Sequence, residues 1–172
     1  MYIKYNTHRV GTAACFAVGN KPVGPDNPEG PRKILDKIVQ KSAFRVKIYA
    51  DNRTYQQGDL ISFSIKSAKT GYLNLIEINP NGKVNVLFPN KYKSNNNIMM
   101  DEEIKIPQSI GGFKLRASSI TGTSRIYAIV SMKPVNLFKE DIGVLNSGFK
   151  SLNKMDLKSL SIQLKIDVEE DK

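Results

Sequence analysis

Few residues in this 172-residue chain are of types that perform chemistry. One histidine, His8, and one cysteine, Cys15, stand near the N-terminus. A thiolate nucleophile needs a base held within hydrogen-bond reach by a rigid scaffold. These two lie in or beside a stretch dominated by proline and glycine, so a cysteine-hydrolase pair finds no support. Zinc requires several Cys or His ligands at set spacings, and one of each does not make such a set. Asp101, Glu102 and Glu103 form the one carboxylate cluster inside the folded region. Consecutive strand residues point to opposite faces, so these three do not converge as an acid–base pair. On a loop they would hold calcium only weakly, and they read as a charged, solvated turn. Gly111-Gly112 lacks the lysine and following helix of a phosphate-binding loop. The expectation is a protein with no catalytic residues and no cofactor.

What remains are candidates for binding. Tyr92 stands between Lys91 and Lys93, beside an asparagine run. An aromatic between two cations can stack on a base or sit on a partner surface, which makes 91–93 a candidate interaction loop. Ile104, Lys105 and Ile106 form a candidate edge strand, a place where another chain could add a strand. Cys15 follows Thr12-Ala13-Ala14, small residues that resemble a bacterial lipid-attachment box. The preceding residues are too polar for the hydrophobic segment such a box requires, so Cys15 is a secondary candidate for lipid attachment.

The elements that must position these residues follow from composition and periodicity. The chain is 40% hydrophobic and carries a net charge of +10. By segment the balance is +4 for residues 1–43, +7 for 44–133 and −1 for 134–172. The excess is spread through the middle rather than gathered in an arm, with Lys47, Lys66 and Lys83 in the polar phase of alternating segments. A solvated sheet face is the simplest reading. The alternative is binding of nucleic acid or an anionic surface through that basic face. No apolar run approaches the roughly 18 residues of a membrane span, and no signal peptide is visible in the first fifteen residues.

Residues 1–30 read as a flexible arm, because Gly19 to Pro31 is rich in proline and glycine. A short helix is expected over 31–43, with Pro31 in its first turn and Ile34, Leu35, Ile38 and Val39 as an apolar stripe. The period then changes to two. Phe44, Val46, Ile48 and Ala50 alternate with polar residues, as do Ile61, Phe63 and Ile65. A central hairpin spans Gly71 to Asn90 around the turn Asn79-Pro80-Asn81-Gly82. Tyr72, Ile76 and Ile78 share one face of its first strand, with Val84, Val86 and Phe88 on one face of the second. Leu73, Leu75 and Leu87 point the other way, so the hairpin is expected to be covered on both sides. Further strands are read at Ile104–Ile106, at Arg125–Met132, and over Leu160 to Asp167, where alternation is clearest. A short helix is read near Phe149 to Met155. Residues 44–168 form the domain and 169–172 an acidic tail. The expected class is mainly β, an antiparallel β-sandwich, with a small closed barrel as the alternative.

Several of these runs together resemble a bacterial family, domain of unknown function 4384. The resemblance is carried by Tyr55 to Asp59, Ser67 with Gly71-Tyr72-Leu73, Asn81 to Val84, and Leu87-Phe88-Pro89-Asn90. Ile104 to Pro107, Gly122, and Ser131 to Val135 add to it. It covers residues of about 44–135 and extends at most to 167. The resemblance implies a non-catalytic β-rich accessory domain in a secreted, lipid-anchored or envelope-associated bacterial protein. Expected partners are other envelope proteins, with membrane association through them or through Cys15. The expected location is the periplasm or the outer-membrane side of the envelope.

Overall fold

The computed structural model describes residues 29–52, 54–137 and 149–164. Of the arm expected over 1–30, residues 1–28, with His8 and Cys15, lie outside the described residues, as does the acidic tail, and Glu29 and Gly30 belong to a helix. Helix α1 spans Glu29–Gln40, so it begins two residues before the expected boundary. Its stripe of Ile34, Leu35, Ile38 and Val39 is buried. Each such side chain removed from water contributes about 1.5–3 kcal/mol. Ser42 Oγ donates to the Ile38 and Val39 carbonyls and closes the helix end.

The strands form antiparallel sheets. The first sheet has the order β1 (Val46–Ala50), β3 (Phe63–Ser67), β7 (Glu103–Ile106). The second runs β10 (Lys150–Leu152), β5 (Val84–Phe88), β4 (Gly71–Ile78), with β6 (Asn97–Ile98) and β9 (Arg125–Ser131) also paired to β4. It curls as a half-barrel. A two-residue ribbon joins β2 (Leu60–Ile61) to β8 (Leu115–Arg116). The molecule is therefore mainly β.

Strand β4 is the centre, and both its faces are covered. Leu73 and Leu75 pack with Val46, Ile48, Phe63, Ile65 and Ile106 of the first sheet. Ile76 and Ile78 pack with Val84, Val86, Tyr127 and Ile129 against Leu35 and Ile38 of α1 and Leu157 and Leu160 of α2 (Lys154–Gln163). The Tyr127 hydroxyl donates to Asp36 Oδ1 at 2.9 Å, which ties β9 to α1.

The hairpin turn is held by the Asn79 amide donating to the Lys83 carbonyl and by the Asn79 side chain accepting from Asn81 and Lys83. Gly82 takes φ +79°, the left-handed region that favours glycine. At Gly71 a Cβ would come within 2.5 Å of the Ser131 carbonyl oxygen, so β4 and β9 approach more closely there than any other residue allows.

Three expectations are corrected. Phe88 does not share the face of Val84 and Val86. Leu75 pairs with Phe88 while Ile76 pairs with Val86, so β5 carries one extra residue at Leu87. A bulge of this kind turns the following side chain over, and Leu87 and Phe88 both enter the cluster beneath the first sheet. The strand expected from Leu160 onward is helix α2 as far as Gln163. Asn153 accepts from the Asp156 amide and Asp156 accepts from the Asn153 amide, a reciprocal cap that starts a helix. Burial then follows Leu157, Leu160 and Ser161, with Leu164 partly buried at the end, while Ile162 is 74% exposed. A strand would have placed Ile162 beside Leu160. The short helix expected near Phe149–Met155 gives way to β10.

Candidate functional site

Where β2, β8 and the 117–124 segment meet the second sheet, a cleft of about 200 Å³ opens at the end of the inner core. Its apolar walls come from Tyr55, Ile61, Phe63, Leu87, Leu115 and Ile126. Its polar residues include Glu77, Asn85, Ser124 and Arg116. Glu77 has the same strand phase as Leu73 and Leu75, so β4 carries it inward toward the core rather than to solvent. Burial pushes its carboxyl above the ordinary value, against the opposing effect of the hydrogen bonds from Ser124 and Asn85.

Those bonds fix the local donor pattern. Ser124 Oγ donates to Glu77 Oε1 at 2.9 Å, and Asn85 Nδ2 donates to Oε2 at 3.3 Å. Ser151 Oγ of β10 donates in turn to Asn85 Oδ1 at 3.1 Å. Arg116 is exposed and its Nη1 donates to the Gly58 carbonyl at 2.9 Å. No ion pair to Glu77 forms among the described residues. Nor do three or more His, Cys, Asp or Glu side chains gather there in a way that could hold a metal. The entrance is shaped by Tyr55, whose hydroxyl donates to Asp51 Oδ1, itself also an acceptor from the Asn52 and Ser62 amides.

The residues singled out from sequence lie elsewhere. Lys91, Tyr92 and Lys93 form a tight loop built on buried Asn90. The Asn90 amide donates to the Lys93 carbonyl and the reverse bond also forms. Asn90 Oδ1 accepts from the Tyr92 and Lys93 amides, and its Nδ2 donates to the Leu87 carbonyl. The loop projects Tyr92, 52% exposed, with Lys91 Nζ 5.3 Å from the ring centroid. Ile104, Lys105 and Ile106 lie in β7, at the end of the first sheet's strand order. There Ser109 Oγ accepts from the Lys105 amide and the Ser109 amide donates to the Lys105 carbonyl. Asp101 lies in a turn at φ +61°, 4.0 Å from Lys66 Nζ. The outward face of the first sheet sets Lys47 directly opposite Lys66 and Tyr49 opposite Ser64, with Lys105 on the far side of Ser64.

Residues 54–134 match the family model described as Domain of unknown function (DUF4384). This segment, a little under half of the chain, is similar to that family. No curated protein and no solved structure matches the chain. The DUF4384 segment contains every residue that lines the cleft, together with the 91–93 loop. It excludes α1, β1, β10 and α2, which are additions on either side. No helix among the described residues is long and apolar enough to cross a membrane.

Sequence reasoning missed Glu77 and the cleft. The available signal was one acidic residue in the phase of two core leucines, Leu73 and Leu75. The rest of the lining comes from positions scattered between Tyr55 and Ile126, and no local pattern joins them.

Proposed function

We propose that this protein is a non-enzymatic binding subunit of a bacterial cell-envelope multiprotein assembly, with an antiparallel β-sandwich as its body. The packing of β1, β3 and β7 over one face of the second sheet supports the sandwich reading. The observation that carries the function is the 91–93 loop. Asn90 uses its backbone and both side-chain polar atoms to lock the loop, and the locked loop holds an aromatic ring out into solvent beside a cation. A large side chain presented on a rigid support gives up little entropy on association, and tyrosine is enriched among residues that dominate binding energy. The N-terminal arm and Cys15 are further candidates for contact with envelope partners or membrane.

The test is affinity capture of the tagged protein from nuclease-treated, fractionated bacterial cells. The expected result is recovery with a fixed set of envelope proteins, reduced about tenfold or more by Tyr92→Ala, the size of effect found at dominant interface residues. Capture unchanged by Tyr92→Ala would remove the loop from the interface. Recovery from the cytosol alone would remove the envelope reading.

A second reading has its own observation. The Lys47–Lys66 pair, with Arg45, Lys105 and Tyr49 on the same face, makes a basic patch with an aromatic in it, bounded by Glu103 opposite Lys66 and by Asp101. Lys66 already faces Glu103 and Asp101, so an anionic ligand would engage Lys47, Arg45 and Lys105 most directly. Nucleic acid is such a ligand. Binding would weaken steeply with salt, and Lys47→Ala would lower the salt slope by about 1 per lost phosphate contact. Failure to shift any DNA or RNA at low salt would dispose of this reading.

A further inference from the structure

The Glu77 cleft is unrelated to the exposed loop and has the make-up of a small-molecule site: apolar walls converging on a few oriented polar groups. We propose that it binds a small primary ammonium compound on a short apolar stem, with the ammonium seated against the Glu77 carboxylate. The cavity of about 200 Å³ is somewhat larger than the roughly 150 Å³ apolar cavity that accepts benzene. A stem of about six carbons therefore fills it, lying against Phe63, Leu87, Leu115 and Ile126.

The donor pattern selects the sign of the ligand. A carboxylate only accepts, and it offers about four lone-pair sites. The Ser124 hydroxyl and the Asn85 amide fill one on each oxygen. The carboxylate itself sets the Asn85 amide, since turning it would place oxygen against oxygen and lose the bond from Nδ2. The remaining capacity at Glu77 therefore calls for a donor, and an anionic ligand would face the carboxylate charge. Among the described residues no cation pairs with Glu77, so an ammonium supplies the missing counter-charge. Burial raises the pKa of this carboxyl against the opposing hydrogen bonds from Ser124 and Asn85. Arg116 does not fill that role, since it is tied to the Gly58 carbonyl and exposed to water.

The experiment is an NMR titration of the purified full chain with hexylammonium, hexan-1-ol and hexanoate, three probes that share a stem and differ in head group. Hexylammonium is expected to shift the amides of Glu77, Asn85, Ser124 and the cleft walls saturably. Hexan-1-ol should bind about tenfold more weakly, and hexanoate should not shift them, as expected when a charged hydrogen bond is replaced or opposed. Glu77→Gln, close to isosteric, should weaken hexylammonium about tenfold while leaving the spectrum folded. Equal affinity for the alcohol, unchanged affinity in Glu77→Gln, or no saturable shift with hexylammonium would each overturn the proposal. These readings are independent of partner capture, so they stand or fall apart from the loop.

Discussion

The two faces of the second sheet solve the same problem in different ways. On one face Ile76, Ile78, Val84, Val86, Tyr127 and Ile129 meet α1 and α2, and the seam is filled by aliphatic side chains. On the other, Leu73, Leu75, Leu87 and Phe88 meet the first sheet, and where that cover ends Glu77 and Asn85 sit under a cleft. The first face is closed by segments outside the DUF4384 segment, and the second mostly by strands within it. The lesson is a division of labour. The flanking helices cover their face with an aliphatic seam that leaves a hollow of about 500 Å³ at its rim, beside Ile38, Phe44, Ile129 and Leu164, and the family segment keeps a smaller cleft with a charge at its edge. The helix face is not wholly apolar, since Asn74 is buried in the middle of β4 and its Nδ2 finds no acceptor among the described residues.

The largest effect is expected from removing the closed face altogether. A chain cut to residues 54–134 loses β1, β10 and both helices, and leaves the six apolar residues of that sheet face uncovered. It should show no cooperative thermal unfolding and should bind a hydrophobic dye. A folded fragment would show that the family segment closes its own core. Next in size is Leu35→Ala, at a fully buried position between helix and sheet. It should cost about 3 kcal/mol in denaturant unfolding. Leu115→Ala, on the cleft wall, widens a space already open, and should cost about 1–2 kcal/mol because water can enter the enlarged cleft. Equal costs for the two leucines would erase the contrast between the faces.

Glu77→Gln should move stability the other way. Burial raises the Glu77 pKa, so the folded protein holds that proton more tightly than the unfolded chain does. The wild type is then favoured below the ordinary value of 4.5 and loses stability as pH rises from there toward the folded-state pKa. The glutamine variant lacks this loss. It should melt above the wild type at neutral pH, with the difference disappearing as pH falls through 4.5, in thermal scans across a pH series.

Periodicity made much of this architecture readable. Val46, Ile48, Ile65 and Val130 alternate as half-buried strands do, and the α1 stripe needs only its 3–4 spacing to be seen. The Asn79–Gly82 turn carried its own chemistry. Periodicity failed at Leu160-Ser161-Ile162, where the alternation is real but the reciprocal Asn153–Asp156 cap, five or more residues upstream of Ile162, commits the chain to a helix. It failed again at Phe88, because a single extra residue in β5 reverses the phase and leaves no trace in composition. The cleft was illegible for a third reason. Tyr55, Glu77, Asn85, Leu115 and Ser124 come together only after the β2–β8, β4–β5 and β4–β9 pairings are set, and sequence reports each strand without reporting its neighbours.

Ser109 has a consequence for how the protein behaves in company. By occupying both outward-pointing backbone groups of Lys105, the turn after β7 takes away one of the rungs on which a second copy could begin to stack. Growth of a sheet from molecule to molecule requires a run of open rungs, and a charged side chain at the same position makes the approach worse. The β7 edge of the first sheet is therefore blunted at Lys105 by its own local chemistry.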